Sequence, residues 1–239
     1  MNTSTKIIAA IFSFGVLFNS CSGLDCIDGS GNQISQDRNV GSFTFVETSG
    51  SIKVVLKQGP ENAVKITADD NIIKDIETKV KGNRLIIDLD GNFCNVGPIT
   101  VYVTSKDYEG VEASGAVEIL SDGKLNVKDF ELGLSGASKV NLVLNAADVK
   151  TSSSGASEIS LKGQAGSHEL KLSGSSSVEA LDFVVGRYRI ESSGSSESRI
   201  NVLNELNISS SGSSDVEYRG NPSSIKNDES GASSLKKIN

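Results

Sequence analysis

The residues that could do chemistry in this 239-residue chain are few, and they are scattered. The single histidine lies in Gly166-Ser167-His168-Glu169-Leu170, with abundant serines and carboxylates from which a Ser/His/acid arrangement could be assembled. Its setting argues otherwise. Gly166 and Ser167 read as a turn and Glu169 as a solvated position, so His168 is expected to be an exposed loop histidine. One histidine and two spare cysteines do not have zinc-ligand spacing. Asp88, Asp90 and Asn92 have the D-x-D-x-N spacing that opens a calcium loop, but the twelfth position is Ile99 instead of a bidentate glutamate. Asp90-Gly91-Asn92 is more simply the turn of a hairpin. Glu158, Glu179, Glu197 and Asp215 sit near equivalent places in a repeat and could form an acidic stripe, which reads as a solvated face. No catalytic, cofactor-binding or metal-binding residue is assigned, and no cofactor is expected.

Charge narrows the partners. The net charge of −7 gives no cationic surface for phosphate neutralisation, so nucleic acid is excluded as a partner. Tryptophan is absent, and the apolar residues are mostly Val, Ile and Leu in short runs, which favours strands.

The N-terminus reads as an export signal. Lys6 precedes an apolar run from Ile7 to Phe18, which ends at Phe18-Asn19-Ser20-Cys21. A small residue before a cysteine at the end of such a run resembles a loose lipobox, so residues 1–20 are expected to be a lipoprotein signal peptide and Cys21 the lipidated N-terminus. The membrane is then a partner through this anchor, and the expected location is the cell envelope, at the outer membrane, on its periplasmic side or at the cell surface. Cys26 and Cys94 remain, and in an exported protein they could form a disulfide or stay as two separate thiols. Residues 21–38 are polar and read as a tether.

The elements that would position any site come from a repeat. Ser-Gly-(Ala/Ser) recurs at Gly115, Gly136, Gly155, Gly174, Gly194, Gly212 and Gly231. Four places after each glycine stands an aliphatic residue (Ile119, Val140, Ile159, Val178, Val216, Leu235), with Ser198 the exception. Short alternating runs such as Val140, Leu142, Leu144 lie between. A unit of about nineteen residues buries little alone, whereas stacked units share a core. Residues 114–239 are therefore predicted to be a parallel β-helix or solenoid, right-handed because the left-handed hexapeptide pattern is missing. A glycine stands at each corner, with a column of hydroxyls beside it. Residues 39–113 show alternation without the repeat and are predicted to form a β region that shares the core and covers the first rung. Asp69 to Val80 could hold a short helix, with Asp69 or Asp70 as its cap.

Several stretches resemble the head GIN domain family. They are Arg38-Asn39-Val40-Gly41-Ser42-Phe43, Ser51-Ile52-Lys53-Val54, Gly82-Asn83-Arg84-Leu85-Ile86-Ile87, the serial Ser-Gly-Ala-Ser motifs, and the closing Gly231-Ala232-Ser233-Ser234-Leu235-Lys236-Lys237-Ile238. The resemblance covers roughly residues 38–239. It implies an autotransporter-adhesin head of a Bacteroidetes-type lipoprotein, of unknown function, with no catalytic or ligand residues to carry over. The expected role is non-enzymatic: an envelope protein presenting a solenoid surface to a glycan or protein ligand. The alternatives are a carbohydrate-active enzyme on a β-helix and a purely structural envelope protein.

Overall fold

The computed structural model describes residues 26–239; Cys21 and the signal segment lie outside them. The described chain is all-β, with one 3-10 turn at Ile73–Asp75 and no α-helix. None of its helices is long and apolar enough to cross a membrane.

The rungs follow from the alternation. In Lys139–Gly155, Val140, Leu142 and Leu144 point inward while Lys139, Asn141 and Val143 face outward. The next strand, Glu158–Gly174, pairs with it in parallel at an offset of nineteen, so Val140 stacks on Ile159 and Leu142 on Leu161. Like residues sit over like, and a single hydrophobic core runs from Phe43 to Tyr218. Each rung has a leading wall before the corner glycine and a trailing wall after it.

The corners explain the motif. Gly115, Gly136, Gly155, Gly174, Gly194, Gly212 and Gly231 all have positive φ, between 83° and 136°. A Cβ on Gly174 would lie 2.4 Å from the carbonyl oxygen of Gly155, and the other corners are equally crowded. The crowding arises because the amide after each glycine donates to the glycine carbonyl one rung back, as from Ser175 N to Gly155 O at 2.8 Å. Only glycine meets both the dihedral and the contact.

The solenoid starts earlier than the periodicity suggests. Phe45–Gly50 pairs in parallel with Gly110–Gly115, residue for residue, which places Gly50 under Gly115. Lys53–Gln58 likewise pairs with Glu118–Asn126. Arg84–Leu89 and Thr100–Ser105 form one more rung on the far side of this pair. The chain therefore lays one rung, reverses to place another beneath it, and returns to climb the stack.

That end is closed by antiparallel strands. Ile76–Lys81 folds back on Arg84–Leu89, and Ala63–Asp69 covers Thr100–Ser105. Three expectations are corrected here. Residues 33–38, read as tether, form a strand paired antiparallel to Ala63–Asp69, with alternate residues (Ile34 on Ala68, Gln36 on Ile66) held by ladder bonds. The helix expected from Asp69 to Val80 is the short 3-10 turn followed by a strand, because Ile76, Thr78 and Val80 are β-branched at period two. Asp69 does not cap a helix: it is fully buried and accepts from Gln33 Nε2 at 2.6 Å and Gly97 N at 2.9 Å. Cys26 and Cys94 are joined by a disulfide with Cα atoms 5.7 Å apart, tying Ile27–Asp28 to Phe93–Cys94.

Among the described residues the opposite end has no such cover. Its last rung, Ser224–Glu229 and Ser234–Lys237, is largely exposed. Asn227, Glu229 and Lys237 occupy the places that the previous rung gives to Ile208, Ser210 and Tyr218.

Candidate binding groove

The residues singled out by chemistry type do not converge. His168 is not on a loop. Gly166 and Ser167 lie within the continuous strand Glu158–Gly174, and Gly166 is needed because a Cβ there would meet Ala147 O at 2.7 Å. Alternation then turns His168 inward, between Val149 and Tyr188, with 1% of its surface exposed. Its Nε2 is 2.9 Å from Thr151 Oγ1, and the Phe183 and Tyr188 rings lie against it. Burial pushes its pKa down to about 3, so the imidazole is neutral and sealed from solvent.

Asp88 is on the outer face, accepting from Ser49 Oγ. Asp90-Gly91-Asn92 is the wide corner of the first rung and not a two-strand hairpin, since Arg84–Leu89 and Thr100–Ser105 run to separate walls. Among the described residues no three His, Cys, Asp or Glu side chains are placed to hold a metal ion.

The carboxylates of the trailing wall do not form an acidic stripe. Glu158, Glu197 and Asp215 stand three places after their corner glycines, whereas Glu179 stands five places after its own. Cations in neighbouring rungs pair with several of them. Lys139 Nζ is 3.0 Å from Glu158, and Arg199 bridges Glu179 at 2.7 Å and Glu217 at 3.3 Å. Lys236 completes the series at 3.0 Å from Glu217. Glu217 is held below the usual carboxylate range, first by its hydrogen bond from Lys236.

The concave feature lies on the other wall. A groove of about 760 Å³ runs across successive rungs on the outer face of the leading wall. Its floor exists because side chains there are minimal. One row is formed by the serines that precede the corner glycines, Ser135, Ser154, Ser173, Ser193, Ser211 and Ser230. A second row runs through Gly133, Ser152, Lys171, Glu191 and Ser209 to Asp228, with Glu112 at the other end. Lys171 is held between Glu169 at 2.9 Å and Glu191 at 3.6 Å. Its hydrogen bond to Glu169 raises the ammonium pKa and lowers the carboxyl. A smaller hollow of about 120 Å³ adjoins it through Glu112 and reaches Glu47 and Asp88.

The interior just past the corners is polar too. Ser138, Ser157, Ser176, Ser196 and Ser214 are buried two places after the corners, where earlier rungs have Ile52 and Val117. Three of them bond across the corner: Ser176 to Ser153 at 3.0 Å, and Ser196 and Ser214 to Ser192 at 2.6 and 2.7 Å. The serine enrichment thus serves two faces. The sequence predicts a column of hydroxyls beside the corner glycines, and the fixed phase of serine before each glycine is the signal that places one row on the outer face.

A two-walled parallel solenoid with a hydroxyl-lined outer groove defines an all-β repeat protein. Residues 42–222 match the family described as "Putative auto-transporter adhesin, head GIN domain", and the chain belongs to that family. Solved structures share the fold. A putative adhesin from Bacteroides fragilis is 21% identical with a TM-score of 0.85, covering 89% of this chain and all of its own. A putative lipid binding protein from Parabacteroides distasonis is 17% identical with a TM-score of 0.67, covering 90% of this chain and all of its own. A putative adhesin from Parabacteroides merdae is 17% identical with a TM-score of 0.64 over the same shares. No curated protein matches the chain.

Proposed function

We propose that this chain is a non-enzymatic, adhesin-like lipoprotein of the cell envelope. In this reading a lipid on Cys21 holds it to the outer membrane, and the solenoid presents its groove to a glycan or protein. The observation that carries the reading is the groove itself: a long, open, hydroxyl-lined surface whose one ammonium is already committed to two carboxylates. Catalysis on a glycosidic bond needs a carboxylic acid with a raised pKa beside a second carboxylate. Among the described residues the carboxyls with displaced titration, Asp70, Glu169 and Glu217, are lowered by hydrogen-bond donors, and the histidine is sealed in the core. Family membership supports the adhesin role.

The test uses the full chain, purified from envelopes in detergent, on arrays of glycans and envelope or host proteins. Retention of a ligand without turnover is expected. Retention of nothing would remove the adhesin role, and release of a cleaved product would remove the non-enzymatic one. A clickable fatty acid should label the wild-type chain and not Cys21→Ala.

A further inference from the structure

Granting the binding role proposed above, we infer that the groove takes a linear, neutral polysaccharide lying parallel to the solenoid axis, with about one sugar per rung. The parallel register stacks Ser135 on Ser154, Ser154 on Ser173 and Ser173 on Ser193, so the row advances by one hydroxyl per rung. Rungs are roughly 4.8 Å apart, a spacing close to the length of one pyranose unit, and six serines extend over about 24 Å. Among the described residues the hydroxyls of Ser135, Ser154, Ser193 and Ser211 bond to no protein group. Those of Ser173 and Ser230 reach only carbonyls, at 3.5 and 3.3 Å. A periodic row of free hydroxyls fits a polymer that repeats its own hydroxyls at the same interval.

Other occupants fit less well. An extended peptide advances about 3.4 Å per residue and gains affinity by adding to an open strand edge. The groove instead crosses strands whose amides and carbonyls are already paired on both sides. An amphipathic helix needs an apolar trough, whereas the outward residues here are serine, glycine and charged groups. Anionic polymers meet three carboxylates, Glu112, Glu191 and Asp228, against the single Lys171. With no aromatic platform in the lining, each sugar contributes little, and affinity must accumulate along the chain.

The test measures binding of the full chain to a length series of neutral linear β-linked gluco- and manno-oligosaccharides, with polygalacturonate as the anionic comparison. Two groove-filling variants are used. Ser154→Tyr/Ser173→Tyr places rings on exposed outward positions. Gly133→Gln adds a side chain where a Cβ would meet nothing closer than Glu112 Cγ at 3.4 Å, so it folds readily. Lys139→Gln, on the trailing wall, is the control.

Affinity for the neutral series should rise with length and level off near six sugars. Both groove variants should lose at least tenfold while Lys139→Gln binds like wild type. Equal binding by the groove-filled variants, or tighter binding of polygalacturonate, overturns the inference. Retention of an array protein with no oligosaccharide bound also overturns it, while leaving the adhesin reading standing. Failure to retain anything removes the adhesin reading itself.

Discussion

Alanine at Gly174 should destabilise the protein several times more than alanine at Gly123, although both glycines have left-handed backbone. Their φ values are +115° and +89°. For Gly123 nothing lies within 4 Å of the added Cβ, so the cost is the dihedral alone, about 1 kcal/mol. For Gly174 the Cβ would sit 2.4 Å from Gly155 O and 3.0 Å from Gly155 N. Ordinary carbon–oxygen contact begins near about 3.3 Å, so the two rungs must part by roughly 0.9 Å at the corner. The separation sacrifices the Ser175 N to Gly155 O bond, worth about 1 kcal/mol, and adds overpacking of about 1–3 kcal/mol. The sum is about 3–5 kcal/mol. For a domain of this size each kcal/mol lowers Tm by about 2–4 °C, so Gly123→Ala should fall by about 3 °C and Gly174→Ala by about 10 °C or more. Thermal melts followed by far-UV circular dichroism would measure both, with hydrogen exchange at Ser175 reporting the local opening. Equal losses in the two variants would show that the corners are not pressed against each other, and the stacking account would fail.

Other outcomes follow from the same structure. His168 is depressed to about 3 in the fold against 6.5 when unfolded, so the unfolded chain takes up the proton first. Stability should therefore be intact above about pH 6.5 and erode as pH falls toward 3, with about 2 kcal/mol lost at pH 5. His168→Leu should remove that component in denaturant titrations across pH, and an unchanged slope would refute the assignment. Reducing the Cys26–Cys94 bond, which closes a separation of 68 residues, should cost up to about 4 kcal/mol. The loss should appear in hydrogen exchange at Gln33–Arg38 and Ala63–Asp69, and uniform loosening along the stack would contradict a cap. The polar residues facing inward in the last rung are expected to prevent end-to-end stacking. Asn227→Ile/Lys237→Tyr should associate in light scattering at concentrations where wild type is monodisperse, and an unchanged mass would show that they have no such role.

The solenoid was legible because its corner glycines and the aliphatic residues four places on recur in phase. The rung carrying Gly50 was not, although Ser49-Gly50-Ser51 and Val54 obey the same pattern. It lies 65 residues before Gly115, and the intervening chain builds a cap and one rung laid beneath it, so self-similarity at a fixed period passes over it. The strand Gln33–Arg38 was hidden by polar composition: its residues are largely exposed, and ladder hydrogen bonds leave no trace in hydropathy. His168 was misplaced because Gly-Ser reads as a turn when close backbone approach is not visible. Extending the alternation of Leu170 and Leu172 back by two residues would have turned it inward. The groove rests on a property that composition cannot express, the side of the sheet on which each serine stands.

Surface display is the claim on which the functional account depends, and Ser154→Cys tests it directly. The position is exposed on the groove floor, so a membrane-impermeant maleimide can reach it wherever the groove meets the medium. Intact cells carrying the variant should label as completely as lysed ones. Labelling that requires permeabilising the outer membrane would place the groove in the periplasm and contradict an adhesin.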